Sequence, residues 1–518
     1  MVTVVNMMNL TAVQALKSGV AAHKEGNLHQ AEQFYRTVLL SQSRYLDTPR
    51  DVDVIAEAYT NLGVSQQQRG DRDAAIESFK QAVKIKPDYT EVYYVMAHSF
   101  RDKGDLRASI GCYQQAVNNN PGNADALINL GAALQHNGEL EAAIESYKQA
   151  LKISPECAEA YNNLGSTFLE KGDLDAAIDS YKEAIKIKPN YANAYNNMGH
   201  ALHDMGDLTG SLDCYKSALK IEPYSAQTHN NMGNALRDVG EYNEAIQHFD
   251  CVAAESDPSK PLFWLNSKAQ SLECLYILGR YDELQERLRL LAVSGDINLR
   301  VAGVSAFVND QLELEDPYPF CKNPLDFFQA GNLSDHVSDV NGFVEGLMLE
   351  AAEVTQQWEP RHGVTKFGFQ TAPTIFKAGK NCEALEKILR KAIASYHSKF
   401  AAEDCEYISS WPSEYDLRGW FVRLIKSGHQ QSHNHPSGWL SGVIYLKTVD
   451  ARDTDEGAIE LSLQGHDLPT LNSDYPRKVH RPKKGDVIFF PSSLYHKTIP
   501  FSEDTDRCVI AFDLYRYS

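Results

Sequence analysis

The chain has 518 residues, enough for two or three domains, and its 43% hydrophobic and 23% charged residues are ordinary for a globular protein. A formal net charge of −19 excludes a nucleic-acid binder and disfavours an anionic membrane surface, because both kinds of partner need a basic face. Nine cysteines, scattered with no C-x-x-C pair, suit a reducing compartment and not a disulfide scaffold.

The first residues, MVTVVNMMNLTAVQALKSG, lack a charged n-region and a long apolar h-region, so no secretory leader is expected. No run of about 18 apolar residues follows, so no membrane span is expected and the predicted location is cytoplasmic. From residue 11 the chain is repetitive. Gly19, Gly26, Ala31 and Tyr35 set a pattern that returns 44 residues later at Gly63, Gly70, Ala75 and Phe79. Ten extra residues, SQSRYLDTPR, therefore lie between the first and second repeats. Thereafter the spacing is 34 residues. The first glycine recurs at Gly131, Gly165, Gly199 and Gly233, with Ala97 in the gap. A second glycine runs from Gly104 through Gly138, Gly172 and Gly206 to Gly240, and an aromatic from Tyr113 through Tyr147, Tyr181 and Tyr215 to Phe249. Prolines close the units at 87, 121, 155, 189 and 223.

Each position has a mechanical task. The first glycine lets two helices of a hairpin approach, and the second suits a left-handed turn. A small residue in the second helix fits under the first helix, the aromatic fills space between neighbouring repeats, and proline ends the hairpin. One hairpin cannot bury its own apolar face, so stacking on neighbours stabilises it. These residues match the tetratricopeptide-repeat (TPR) signature, which implies an α-solenoid over 11–259 with about seven repeats. An asparagine stands two positions before the first glycine: Asn61, Asn129, Asn163, Asn197 and Asn231, broken by Val95. In the TPR fold the first helix lines a concave groove, where such amides can hold an extended peptide backbone. The ladder resembles that of the O-linked N-acetylglucosamine transferase superhelix; the alternative is that the amides cap or bridge neighbouring helices. A protein or extended peptide in this groove is the expected partner.

After Pro258 the pattern decays, and residues 260–293 read as a degenerate capping helical pair. From 294 to 518 the texture changes. KFGFQTA reads as a strand and CEALEKILRKAIASYHSKF as an amphipathic helix with Leu385, Ile388, Leu389 and Ile393 on its apolar face. WFVRLIK, WLSGVIYLK, AIELSL, DVIFF and CVIAFDLY are short strands separated by turns, the pattern of a sandwich or barrel. The core of this domain is expected at about 419–516.

Two segments there carry chemistry. In SGHQQSHNHPSGWLSGVIYL, His433 and His435 are two apart on an extended segment, so both imidazoles project to one face and can meet one metal. In KKGDVIFFPSSLYHKTIPFSEDTDRCVIAFDLY, His496 precedes a hairpin and Arg507 follows eleven residues later; this predicts His496 and Arg507 on neighbouring strands facing one cavity. The region resembles the 2-oxoglutarate/Fe(II)-dependent oxygenases, whose double-stranded β-helix presents His-x-Asp, a distal His and a basic residue. The resemblance implies a multidomain α + β protein, a TPR solenoid followed by a jelly-roll or cupin-like β-helix. It implies His433 and His496 as metal ligands, and Arg507 with Tyr445 as the holders of a co-substrate carboxylate. The implied cofactors are Fe(II) and 2-oxoglutarate, with ascorbate a further candidate. The implied reaction is hydroxylation of a C–H bond, with a peptide held by the repeats as substrate.

The chain departs from the family at one place. His435 occupies the carboxylate position, giving H-N-H for H-x-D; it either ligates as a third imidazole or lines the site. His429 and His466 lie nearby as loop histidines. Gly485, Pro491 and His496, with Ser493 in place of glycine, nearly reproduce the second cupin signature. The Glu of the first cupin motif is absent, its positions being Trp439 and Leu440. The rival readings are therefore a three-His dioxygenase of the thiol-dioxygenase kind that does not use 2-oxoglutarate, an oxygenase acting on a small metabolite, and a TPR adaptor with an inactive barrel. Arg507 favours the first family, because a guanidinium is the usual fork for a dicarboxylate.

Overall fold

A computed structural model describes residues 11–40, 49–254, 261–295, 297–318, 320–321, 323–359, 364–450, 454–465 and 468–516. Residues 41–48 of the inserted segment, Pro258 and His466 lie outside the described residues. The chain divides into two compact units, Met1–Pro223 and Tyr224–Ser518.

The first unit is a run of antiparallel helix pairs, from Ala12–Lys24 with Leu28–Leu40 to Ala192–Met205 with Leu208–Ile221. The glycine–aromatic spacing has a direct cause. A Cβ on Gly131, Gly165 or Gly199 would stand 2.8, 2.7 and 2.7 Å from the rings of Tyr147, Tyr181 and Tyr215. The aromatic of the second helix thus rests on the glycine of its own repeat, a contact that spacing alone did not show. The second glycine takes φ of +92° at Gly172 and +89° at Gly206, where a side chain would be strained. The aspartate that follows it begins the next helix: Asp71, Asp105, Asp173 and Asp207 each accept a hydrogen bond from the backbone N–H three residues on.

Of the expected asparagine ladder, Asn129 donates to Tyr94 Oη at 2.9 Å and to the Asp125 carbonyl at 2.8 Å. Asn197 donates to Asn162 Oδ1 at 3.1 Å, one repeat earlier. Asn61, Asn129, Asn163 and Asn197 are all half-buried. Part of the amide capacity is therefore committed to bonds between repeats.

The second unit opens with the helix pair Ala226–Asp238 and Tyr242–Ala254, then Pro261–Ile277 with Tyr281–Ser294, then a buried helix, Leu299–Leu312. Ten strands follow among the described residues: β1 Gln329–Asn332, β2 Gln356–Trp358, β3 Thr365–Thr371, β4 Tyr415–Gln430, β5 Leu440–Lys447, β6 Ile459–Ser462, β7 Arg477–His480, β8 Asp486–Pro491, β9 Tyr495–Thr498 and β10 Arg507–Arg516. They form two antiparallel sheets, one of seven strands in the order β1-β8-β5-β10-β4-β3-β2 and one of three, β7-β6-β9. The strongly apolar segments became β4, β5, β6, β8 and β10. The strands that sequence reading passed over, such as the polar and exposed β7, carry no alternation to betray them. The helix Lys380–Phe400 buries Leu385, Leu389 and Ile393, with Ile388 at the margin. Among the described residues no helix is long and apolar enough to cross a membrane, and all nine cysteines are free thiols.

Candidate metal and co-substrate site

Where β4 ends, the chain runs on through His433, Asn434 and His435 and is laced to β9 and the turn before it. His433 and His496 exchange backbone hydrogen bonds of 3.1 and 2.9 Å, and the His435 N–H donates to the Ser492 carbonyl at 2.9 Å. The Asn434 side chain adds a bond of 3.3 Å to the Ser493 carbonyl. The helix Leu299–Leu312 backs this lacing. A Cβ on Gly303 would sit 2.8 Å from the Ser493 carbonyl and 3.1 Å from Asn434 Nδ2, so only glycine lets the helix approach so closely.

The lacing brings three imidazoles together. Each of His433, His435 and His496 can offer one ring nitrogen such that all three lie within 4.8 Å of one another. The second nitrogen of each ring is anchored. Nδ1 of His433 faces the Gln431 carbonyl at 2.7 Å, Nδ1 of His496 faces the Leu494 carbonyl at 3.3 Å, and Nδ1 of His435 faces both oxygens of Asp513 at 2.7 Å. With the proton on Nδ1, the lone pair is on Nε2, the tautomer a metal requires. Burial holds the His496 pKa well below the usual range, and the two neighbouring rings push the same way, so this ring is neutral near pH 7. A donor set of three imidazoles fits Fe(II) as it fits other divalent first-row metals. Trp420 and Phe490 flank the cluster, with ring centroids 5.6 Å from His435 and 4.8 Å from His496. His429 lies on β4, outside the cluster, facing the Ser427 carbonyl.

Arg507 opens β10. The expectation that it neighbours the His496 strand is corrected: β9 belongs to the three-stranded sheet, and β10 pairs with β4 and β5 in the other. Its neighbour is Tyr445. The guanidinium lies 5.1 Å from the centre of that ring, and Nε donates to the Gly457 carbonyl at 2.9 Å. Both residues are fully buried, yet Arg507 Nη1 and Tyr445 Oη reach no hydrogen-bonding partner. Burial pushes the Tyr445 phenol up to about 12, so it is a protonated donor at neutral pH. A buried guanidinium with Nη1 to spare, beside a buried phenol, fits a small carboxylate, which would accept from both. His480, 6.1 Å from Tyr445 between ring centres, is paired through Nε2 with Asp486 Oδ2 at 3.4 Å.

A cleft of about 680 Å³ reaches the cluster at His433. Gln431, Gln464 and Lys497 form its sheet side, while Arg237 and Tyr242 of the last repeat and Glu273 of the next pair form its helical side.

Comparison with known proteins agrees in outline. TPR families match residues 56–89, 94–156, 165–206 and 190–254. A family described as "Putative 2OG-Fe(II) oxygenase" matches residues 418–513. This chain joins TPR repeats to a 2OG-Fe(II) oxygenase-family domain. Among solved structures, a crystal structure of MamA is 29% identical over 32% of this chain and 97% of its own, with a TM-score of 0.31. The pilF protein of Pseudomonas aeruginosa is 18% identical over 42% and 99%, with a TM-score of 0.36. No curated protein matches.

One residue of this oxygenase-family domain escaped sequence reading, Asp513. Asp513 stands in CVIAFDLY as one polar residue in an apolar strand, which was the available signal.

Proposed function

We propose that the protein is a 2-oxoglutarate- and Fe(II)-dependent dioxygenase that hydroxylates a side chain of a protein substrate. The observation that carries the reading is the cluster of His433, His435 and His496, each ring with Nδ1 anchored, inside the segment that matches the oxygenase family. In this reading the three histidines hold Fe(II), and Arg507 and Tyr445 hold the far carboxylate of 2-oxoglutarate. When bound, the metal and co-substrate together supply the oxidising power to break a C–H bond. The protein's own residues bind and orient. The anchored rings fix the direction of the ligand lone pairs, Trp420 and Phe490 keep water from their flanks, and the buried guanidinium and phenol set the co-substrate's register. The buried Arg507, which forms no ion pair among the described residues, favours this reading over a three-His site that does not use 2-oxoglutarate.

The cleft between the last repeat and His433 supports a macromolecular substrate, since helices of the repeat array form one wall of the way in. The two sheets are read as a double-stranded β-helix. The proposed division is the repeat array at 11–259, the capping pair at 260–293 and the oxygenase domain at 294–518, in a cytoplasmic protein whose thiols stay reduced.

The deciding experiment supplies Fe(II), 2-oxoglutarate and oxygen to the full chain. Succinate should form only when all are present, and substrate captured by the chain should gain 16 Da, one oxygen atom. His433→Ala and His496→Ala should abolish iron binding with unchanged circular dichroism, because no neighbour can replace a lost ligand. Full iron retention in both variants sinks the assignment, and iron binding without succinate points to the adaptor.

A further inference from the structure

The family carries a negative charge on the metal through its H-x-D carboxylate, and residue 435 is a histidine here. Of the three rings, two anchor Nδ1 on neutral backbone carbonyls. Only His435, at the substituted position, anchors on a carboxylate. We propose that Asp513 is a positioning residue that returns this charge to the site through the His435 ring; the inference rests on the metal reading above.

Asp513 lies on β10, in register with Ser441 of β5, and is 2% exposed. Both its oxygens stand 2.7 Å from His435 Nδ1. Ser441 Oγ donates to Oδ1 at 2.7 Å, and Tyr515 Oη donates to Oδ2 at 3.2 Å. Ser441 in turn shares a hydrogen bond of 2.8 Å with Ser492, whose carbonyl holds the His435 backbone. Among the described residues the only ion-pair partner of Asp513 is His435. A carboxylate buried this deeply is costly unless paired and hydrogen-bonded, and here the His435 ring pairs it while two hydroxyls compete for its oxygens. The arrangement keeps the His435 proton on Nδ1, turns Nε2 into the metal-facing donor and raises its basicity. Three imidazoles plus Asp513 carry the same net charge as two imidazoles plus a ligating aspartate; the charge is moved outward by one ring.

The test measures Co(II) affinity by anaerobic calorimetry, together with the Co(II) absorption spectrum, in the full chain. Asp513→Asn should weaken Co(II) binding roughly 10- to 100-fold and shift the ligand-field bands. In an H435D background, where a carboxylate would reach the metal directly, adding Asp513→Asn should no longer weaken binding, because two carboxylates so close repel. An equal loss in both backgrounds, or no loss in either, overturns the proposal. If Asp513→Asn fails to fold, Ser441→Ala keeps the carboxylate and removes a competing donor. Co(II) should then bind several-fold tighter, and unchanged or weaker binding overturns the proposal. Absence of Co(II) and Fe(II) binding by the unmodified chain would instead bring down the metal reading itself.

Discussion

At Arg507 the sequence shows only an arginine at the start of an apolar strand. Its burial is what gives it meaning. The guanidinium is 1% exposed and stands over the Tyr445 ring, with Nη1 left to donate to an anion. Arg507→Ala should therefore raise the 2-oxoglutarate concentration needed for half-maximal succinate formation by tenfold or more. Loss of one partner from a buried charge-assisted pair is worth on the order of 2–5 kcal/mol. Iron content should stay near normal, since the histidine cluster is anchored by other groups: Gln431, Leu494 and Asp513. An unchanged co-substrate requirement would favour the three-His reading without 2-oxoglutarate. His435 is the complementary case: its spacing from His433 was legible, but the carboxylate behind it is 78 residues away in the chain.

At the scale of elements, glycine marks where two backbones approach. Gly303 faces the Ser493 carbonyl in the segment that carries His496, and a backbone oxygen cannot swing aside as a side chain can. Gly303→Ala should cost about 1–3 kcal/mol through overpacking. It should also loosen Fe(II) binding, because helix Leu299–Leu312 would push on the lacing between His433 and His496. Gly131→Ala offers the control. It meets the Tyr147 ring at 2.8 Å and should destabilise the first unit to a similar degree while leaving iron affinity unchanged. Thermal unfolding and iron titration of both variants separate the two effects; equal iron affinity in both would remove the helix from the site.

For the whole molecule the open matter is what the repeats hold. Replacing Asn129, Asn163, Asn197 and Asn231 with Ala should weaken capture of the protein partner by tenfold or more if the ladder lines a peptide groove. Some stability should be lost with it, because Asn129 bonds to Tyr94 and Asn197 to Asn162, and each lost bond between repeats costs about 1 kcal/mol. A fall in melting temperature with full partner binding would make the ladder a packing device and withdraw the groove.

The sequence by itself determined the repeats, because the physics there is local: glycine, aromatic, aspartate cap and proline act within one hairpin of 34 residues and recur. It also marked His433, His435, His496 and Arg507, whose types and spacing are chemical signals. Only the tertiary structure decided which groups stand behind them. Asp513 reaches His435, Arg507 meets Tyr445, and Gly303 admits a helix, each across a long loop of chain. Such pairings are set by strand order, with β10 between β5 and β4, and by helix packing, and no local pattern in the residues encodes them.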